Sequence, residues 1–500
     1  MKILTSKQIR DIDQKTMEEE AISSSDLMER AGQALTQHFC GLYSTSYDVV
    51  IVCGPGNNGG DGLVMARLLR EKNYEVTVWV ITLGTRSYDN QINLDRLRSL
   101  DGITIQEICE KGDLPALQHS SLVLVDAIFG SGISRPVEGR FAEIVTHINV
   151  SGRPVVSIDM PSGLTDENPP RGTIIHAKQT LGIEIPRMNY LLASSSDFVG
   201  EWELVNIGLS KKAINEASAD KFYLDIAELI GFEAGQRNRF SHKGDFGHSL
   251  LICGSLGMMG ASLLATEACL RSGSGKVTTH VPRCGKDVTY IRCPEALCSV
   301  DEHEFHSTRV AKPEQYSCIG IGCGIGQKPG VQDLVEDILQ LENPLVIDAD
   351  ALNIIAHKGW LEKVPSRSII TPHPGEFDRL TGHESNDDRQ RIELQRRMAR
   401  HHDIIVLLKG HYSSVALPDG RLFFNSTGNA GMASGGSGDV LTGLITGLMS
   451  QTGDPVAAAI TGMYVHGLAG DLALDEQSEE SLIARDIIKN LGKAFKMIRT

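Results

Sequence analysis

The sequence predicts two α/β domains in tandem, each a parallel sheet covered by helices on both faces, and three observations carry that prediction. Five hundred residues exceed what one hydrophobic core holds comfortably. Short β-branched runs alternate with segments of helical periodicity, which is the pattern of parallel sheets. The alternation lapses across the polar stretch LSKKAINEASADKFY, read as lacking strand character, and restarts near Leu250, giving domains at residues 1–218 and 222–500. No internal repeat links the halves, so the chain reads as a fusion rather than a duplication.

Taken in order, Ser6 is the expected cap of a first helix, and SSSDLMERAGQALTQHF places Leu27, Met28, Ala31, Leu35 and Phe39 on one face of a second. Strands are predicted at Val49–Val52, Val76–Ile81, Leu122–Val125 and Val155–Ile158, with helices such as GLVMARLLREKNY between them. In the second half strands are predicted at Leu250–Ile252, Lys276–His280, Cys318–Ile321, Leu345–Ile347, Ser368–Ile370 and Ile404–Leu408. The uncharged run SLLICGSLGMMGASLLAT has the length of a membrane span, yet Gly254, Gly257 and Gly260 interrupt it and Glu267 and Arg271 follow at once. It reads as a buried strand, a glycine turn and a helix.

A formal charge of -15 argues against a nucleic-acid footprint, so phosphate binding is expected to use backbone N–H groups. The 51 glycines supply loops for that purpose. Ten cysteines without a C-x-x-C pair suggest neither a zinc site nor a disulfide framework. The opening MKILTSKQIRDIDQKTMEEE lacks the apolar core of a signal peptide, and a reducing cytoplasm is the expected compartment.

In the first domain, CGPGNNGGDG follows a strand ending at Cys53 and precedes a helix expected from Gly62, at the sheet edge where doubly wound folds bind ligands. A helix N-terminus offers N–H donors to phosphate. The stretch is neither G-x-G-x-x-G nor a Walker loop, because no Lys follows and Asn57, Asn58 and Asp61 add oxygen acceptors, which suit a hard cation beside a phosphate-bearing ligand. LVLVDAIFGSGISRPVEG ends a strand at Asp126 and continues into a glycine loop with Arg135; VVSIDMPSGL ends another at Asp159 and Ser162. Singly, each aspartate reads equally well as a turn or cap, but a parallel sheet would bring all three strand ends to one edge.

LMERAGQAL, CGPGNNGGDGLVMARLL, DAIFGSGISRPVEG and SIDMPSGL, in that order, resemble the YjeF N-terminal family of NAD(P)H-hydrate epimerases over about residues 1–215. The resemblance implies a Rossmann-like domain interconverting the R and S hydrates of NADH and NADPH. It also implies K+ at Asn58, Asp126 and Ser162, and hydrate contacts along Asn57, Asn58, Gly59, Gly60 and Asp61 and along Gly130, Ser131, Gly132, Ile133, Ser134, Arg135 and Pro136. Asp159 is placed near the ring. Inversion at a carbon bearing nitrogen and hydroxyl requires proton transfer, and Asp159 is the candidate acid–base. Where the family has alanine-proline-lysine, this chain reads Ile185-Pro186-Arg187; the positive charge is kept, but a role needing a neutral amine would be lost.

In the second domain, NAGMASGGSGDVLTGLITGLMS runs a glycine-dense loop through Asp439 into an apolar helix. Gly435, Gly436 and Gly438 allow successive N–H groups to point inward at the helix start, forming an anion hole with one carboxylate at its rim. Beside a phosphoryl group a carboxylate is useful as a proton acceptor from the attacking hydroxyl, so Asp439 reads as general base. Lys409 and Gly410 end a strand in VLLKGHYSSVA; His373, Gly375 and Glu376 follow another in IITPHPGEFDRL; Asp348, Asp350 and Asn353 in VIDADALN suit a metal or nucleotide.

Together with GMMGASLLATEACLRSGSG and GIGCGIG, these motifs resemble the ribokinase-like YjeF C-terminal family, the ADP-dependent NAD(P)H-hydrate dehydratases, over about residues 222–500. That resemblance implies hydrate contact by Ala261, Gly324, His373 and Asp439, and ADP contact by Lys409, Gly410, His411, Tyr412, Ser413 and Gly438, with Mg2+ on the diphosphate. Cys323 stands where proline is common in the family's loop. The whole chain resembles the bifunctional bacterial hydrate-repair enzymes, whose partners would be NADHX, NADPHX and ADP, with neither nucleic acid nor membrane; a homo-oligomer is the expected assembly. Two other readings share these residues: a ribokinase-class kinase for a small alcohol, and an N-terminal half that binds without catalysing. Recovery of reduced nicotinamide from its hydrate with ADP or ATP separates the first, and the effect of Asp159→Ala on epimer conversion separates the second.

Overall fold

The structure is a computed structural model that describes every residue except 118, 134, 167, 230, 231, 233–236, 385, 386 and 500. Two units partition the chain, one spanning Lys2–Ala219 and the other Asp220–Thr500 together with Met1.

The first unit is built on a seven-stranded, wholly parallel sheet of β1 (Asp48–Cys53), β2 (Val76–Ile81), β3 (Thr104–Ile108), β4 (Leu122–Ala127), β5 (Val155–Ile158), β6 (Gln179–Ile183) and β7 (Glu201–Val205), in the order β3-β2-β1-β4-β5-β6-β7. Alternate residues of β1 feed two cores: Val49, Ile51 and Cys53 pack with Leu63, Leu69 and Phe39, and Val50 and Val52 pack with Ile144 and Ile148. Burial on both faces explains why the central strands are continuous apolar runs. The strand order reverses between β1 and β4, so the loops after Cys53 and Ala127 flank the crevice where such sheets bind ligands.

The second unit has a ten-stranded sheet of β8 (Lys221–Leu224), β9 (His248–Ile252), β10 (Lys276–Val281), β11 (Leu297–Val300), β12 (Cys318–Ile321), β13 (Leu345–Ile347), β14 (Ile369–Ile370), β15 (Ile405–Leu408), β16 (Ser414–Ala416) and β17 (Leu422–Asn425), in the order β11-β10-β9-β12-β13-β14-β15-β16-β17-β8. β16 runs antiparallel to both its neighbours, and the other pairings are parallel. Helices 437–452 and 455–473 are apolar almost all round and lie in the core with Leu407, Val415 and Phe423. No helix among the described residues is long and apolar enough to cross a membrane.

Three local expectations are corrected. Thr5, not Ser6, caps the helix Ser6–Glu20, through a reciprocal box with Gln8; Ser6 Oγ instead donates to the Ser131 carbonyl and Asp166. The polar stretch before Leu250 contains a strand after all, since Lys221–Leu224 pairs with Leu422–Asn425. And the helix after β1 starts at Asn57, five residues before Gly62. Its glycines serve contact rather than a turn: a Cβ at Gly59 would collide with the Gly54 carbonyl, one at Gly60 would lie 2.5 Å from Met28 Sδ, and one at Gly62 would lie 2.6 Å from Ala127 Cβ. Close approach of helix to sheet thus overrides the low helix propensity of the segment.

Candidate active sites

In the first unit the strand ends enclose a cleft of about 980 Å³. Asn57, Asn58, Asp61, Gly130, Ser131, Gly132, Ile133, Arg135, Pro136 and Asp159 all line it. Gly59 and Gly60 lie buried behind them, at the packing contacts just described. Ser134 lies outside the described residues.

Asp159 follows β5 directly and has a left-handed backbone, φ 61°, an uncommon conformation for a non-glycine residue. Its Oδ2 accepts from the Ser131 N–H at 2.8 Å, and its Oδ1 accepts from Arg187 at 3.0 Å. Arg187 is only 3% exposed and also donates to Ser131 Oγ at 3.0 Å. Its Nε and second terminal nitrogen are buried without partners. The arginine standing in place of the family's lysine is therefore the direct partner of Asp159, and its guanidinium remains protonated.

The three oxygen-bearing residues expected to hold a cation lie around the same loop. Asp126 is buried at the end of β4; it accepts from Ser157 Oγ and the Ser162 N–H at 2.8 Å and from Ser162 Oγ at 2.5 Å. Burial raises its carboxyl pKa in spite of those donors. Ser162 Oγ also contacts the Phe129 carbonyl at 3.1 Å, an oxygen that sequence reading did not single out. The Asn58 side chain lies against Gly130, and its Nδ2 is buried without a partner.

Sequence reading also passed over two carboxylates on the other walls, Asp13 and Asp89. Asp13, from the helix Ser6–Glu20, lines the cleft, and burial raises its pKa to about 6 against the pull of Arg187. Asp61, between them, is pushed well up by burial and by the charges of Asp159, Asp13 and Asp89. Asp89 accepts hydrogen bonds from Ser24 and Ser25.

In the second unit β9, β12, β13, β14 and β15 deliver their following loops to one edge. Asp439 sits in the first turn of helix 437–452, whose cap Gly436 has φ 94°. The Gly438 and Asp439 N–H groups, at the second and third helical positions, have no acceptor within the helix. Burial raises the Asp439 pKa to about 6, with Asp348 and Asp350 adding to it and the Cys323 thiol and Lys409 opposing it.

Lys409 leaves β15 and places Nζ 2.7 Å from Asp348 Oδ1 and 4.0 Å from Glu376 Oε2. Burial alone would lower the lysine pKa, but Asp348, with Glu376 behind it, outweighs that and raises it. Asp348 also caps helix 349–358 and accepts from Thr442 Oγ1 at 2.7 Å. A Cβ on Gly438 would be 3.4 Å from Lys409 Nζ, so the glycine leaves a free approach above the ammonium.

The remaining expected residues divide. Gly324 and Ala261 face each other, a Cβ on the glycine falling 3.1 Å from that of Ala261. Gly410, His411, Tyr412 and Ser413 form the β15–β16 turn, closed by Ser413 Oγ on Gly410. His373 caps helix 374–381 by accepting from the Gly375 N–H at 3.1 Å, and its other nitrogen lies 3.4 Å from Glu376, so its ring braces the carboxylate that faces Lys409. Asp350 accepts from the Gly326 N–H and Asn353 from Arg379, so both are engaged in holding loops.

Residues 24–188 match the family model described as YjeF-related protein N-terminus, and residues 249–493 match the model for NAD(P)H-hydrate dehydratase. The bifunctional NAD(P)H-hydrate repair enzyme Nnr of Moorella thermoacetica is 33% identical over 509 residues, covering 98% of this chain and 95% of its own. The enzyme of the same name from Coxiella burnetii is 32% identical over 505 residues, covering 97% of each. Among solved structures, the ADP/ATP-dependent NAD(P)H-hydrate dehydratase of Bacillus subtilis, co-crystallised with ATP and Mg2+, is 32% identical with a TM-score of 0.50, covering 55% of this chain and 98% of that one. With both halves matched in order and full-length relatives above 30% identity, the chain belongs to the bifunctional NAD(P)H-hydrate repair enzymes.

Proposed function

We propose that the first unit interconverts the R and S hydrates of NADH and NADPH through Asp159, and that the second dehydrates the S hydrate at the expense of ADP through Asp439. The observation that carries this reading is the second site: a half-buried carboxylate at an open helix N-terminus, next to a lysine whose ammonium faces the same space.

Hydroxide is a poor leaving group, and the site answers that difficulty. Asp439 takes the proton of the ring hydroxyl as its oxygen attacks the terminal phosphorus of ADP; the bond to AMP breaks with its electron pair, which AMP carries away. Lys409 and the Gly438 and Asp439 N–H groups hold the charge on the transferring group. The ring nitrogen then pushes out phosphate, and loss of a proton from the adjacent carbon restores the reduced ring.

A magnesium ion here would neutralise diphosphate charge. The donor set fits an ion that arrives on the nucleotide, because Asp348 is already occupied by Lys409, Thr442 and the Ala349 N–H. In the first unit, Asn58, Asp126 and Ser162, with the Phe129 carbonyl, are the residues that would hold K+. The buried Asp126 carboxylate, the Ser162 hydroxyl and the Phe129 carbonyl are hard oxygens that support a monovalent cation there, which would anchor the phosphate-bearing part of the ligand.

The test supplies NADHX epimers with ADP or ATP and Mg2+ and follows absorbance of the reduced nicotinamide. The wild-type chain recovers both epimers, and Asp439→Asn recovers neither while still equilibrating them. Simultaneous loss of dehydration and epimerisation in Asp439→Asn would contradict separate sites.

A further inference from the structure

We propose that Asp13 is the second acid–base residue of the epimerase cleft, donating a proton to the departing hydroxyl while Asp159 receives the proton of the water that returns. This rests on the epimerase reading of the first unit.

One face of the helix Ser6–Glu20 forms a wall of the cleft: Ser6, Ile9, Arg10, Asp13 and Met17 line it at helical spacing, with Asp13 in the middle. The helix is fixed in place. Ser6 bonds to the Ser131 carbonyl across the cleft, Thr16 Oγ1 accepts from the Ser210 N–H, and Ile9 and Ile12 pack with Leu27, Ile185 and Ile207.

Asp13 itself is half-buried, yet among the described residues its carboxyl makes no hydrogen bond or ion pair. The neighbouring acids differ. Asp159 is tied to Arg187 and Ser131, Asp89 to two serines, and Asp126 to Ser157 and Ser162. A half-buried carboxyl left without a partner on a rigid wall is unexplained by folding and is explained by a ligand. Asp61 also faces the cleft, but it is buried more deeply, among Asp159, Asp13 and Asp89, and that burial and their charges push its carboxyl well up. The groups acting on Asp13 are Arg10 from its own helix, Arg187 and Asp159 from the opposing loops, and Asp61 through mutual repulsion. Burial with that balance places its titration at about 6, within reach of working pH.

The chemistry closes. Protonated Asp13 gives its proton to the ring hydroxyl, the carbon–oxygen bond breaks with its pair leaving as water, and the ring nitrogen's lone pair makes the carbon–nitrogen double bond. Water adds to the other face of that carbon, forming the new carbon–oxygen bond and returning the pair to nitrogen, while its extra proton passes to Asp159. The pair ends as ionised Asp13 and protonated Asp159, the state that acts on the opposite epimer, and exchange with solvent resets it. No oxidant or co-reactant is consumed.

Two carboxyls that share one working proton make kcat/KM for both epimers fall as pH rises through about 6. The experiment uses the full chain, no nucleotide, one purified NADHX epimer, and chromatographic separation of the two forms. Asp13→Asn is expected to slow interconversion by about 100-fold or more, while dehydration of the S epimer with ADP stays at the wild-type rate. Asp13→Glu is expected to keep part of the activity. In water enriched in oxygen-18 the wild type is expected to place the label in the ring hydroxyl once per inversion. Interconversion within threefold of wild type in Asp13→Asn, or inversion without label, overturns the proposal. Should Asp13→Asn lose its melting transition, the wild-type label result and pH profile decide alone, and a rate that does not fall above pH 6 overturns it. A wild-type chain that never interconverts the epimers is a different result, which removes the epimerase reading itself.

Discussion

Asp439 offers the sharpest quantitative test. Its pKa rises from an ordinary 3.8 to about 6 because burial outweighs the Cys323 thiol and Lys409. A base must be ionised, so kcat/KM for dehydration with ADP and Mg2+ is expected to climb about tenfold per pH step below 6 and to level off near pH 7. Asp439→Asn removes the proton acceptor and is expected to lower the plateau by about 10²- to 10⁴-fold and to abolish the climb. The same shift has a stability sign. The folded state binds this proton more tightly than the unfolded state, so the site costs stability as pH rises from about 4 through about 6, a loss of about 3 kcal/mol by pH 7. The asparagine variant escapes that loss: its melting temperature is expected to exceed wild type at pH 8 and to converge with it near pH 4. The assay is recovery of reduced nicotinamide absorbance between pH 5 and 8, with melting curves in the same buffers. A flat pH profile in the wild type, or a variant within tenfold of it, refutes Asp439 as the base.

Lys409→Met leaves the buried Asp348 carboxylate without its cation at 2.7 Å, and is expected to cost about 3–5 kcal/mol in denaturant midpoint and to raise KM for ADP. Gly443→Ala drives a methyl into the Ala265 carbonyl of the facing helix and is expected to destabilise by about 1–3 kcal/mol, whereas Gly435→Ala, with no atom within 4 Å, leaves the melting temperature unchanged. Arg187→Lys keeps a cation on Asp159 and retains epimerase activity, while Arg187→Met, which strands that carboxylate, loses it; epimer conversion with dehydration as the internal control reads both. If the proposed K+ site is used, replacing K+ by choline is expected to slow epimerisation by about tenfold or more and to leave dehydration unaffected, a difference read by assaying the two steps separately.

The central strands were legible because burial on both faces demands unbroken β-branched runs, as at Val76–Ile81 and Val155–Ile158. Edge strands escaped notice for the converse reason. Thr104–Ile108 and Glu201–Val205 carry polar residues on a half-exposed surface, and Lys221–Leu224 becomes a strand by pairing with a segment two hundred residues away. Glycine misled where it serves contact: Gly59 and Gly60 read as a turn, yet they sit in a helix, Gly59 against the Gly54 carbonyl after β1 and Gly60 against Met28 of the helix Ser24–Leu42. Site residues at strand ends stood out because an acid or lysine after an apolar run has few structural reasons to be there. Asp13 did not, since an acid among RDIDQK on an amphipathic helix resembles any solvated face.

Both units nevertheless arrive at one electrostatic arrangement, and it explains that limit. In each, one carboxylate is paired with a buried cation, Asp159 with Arg187 and Asp348 with Lys409, and a second acid nearby, Asp13 or Asp439, is raised to about 6 by burial with no ion pair of its own. In the second unit this separates the fixed charge of Asp348 from proton transfer at Asp439, and in the first it sets the unpaired Asp13 apart from the cation-held Asp159 with which it would exchange a proton. Which acid receives the cation depends on where an arginine or lysine 28 or 61 residues away arrives in space, which the local spacing of acids does not encode. The strand-end rule therefore finds the edge of the sheet, and only the packed structure tells which carboxyl there is free to move a proton.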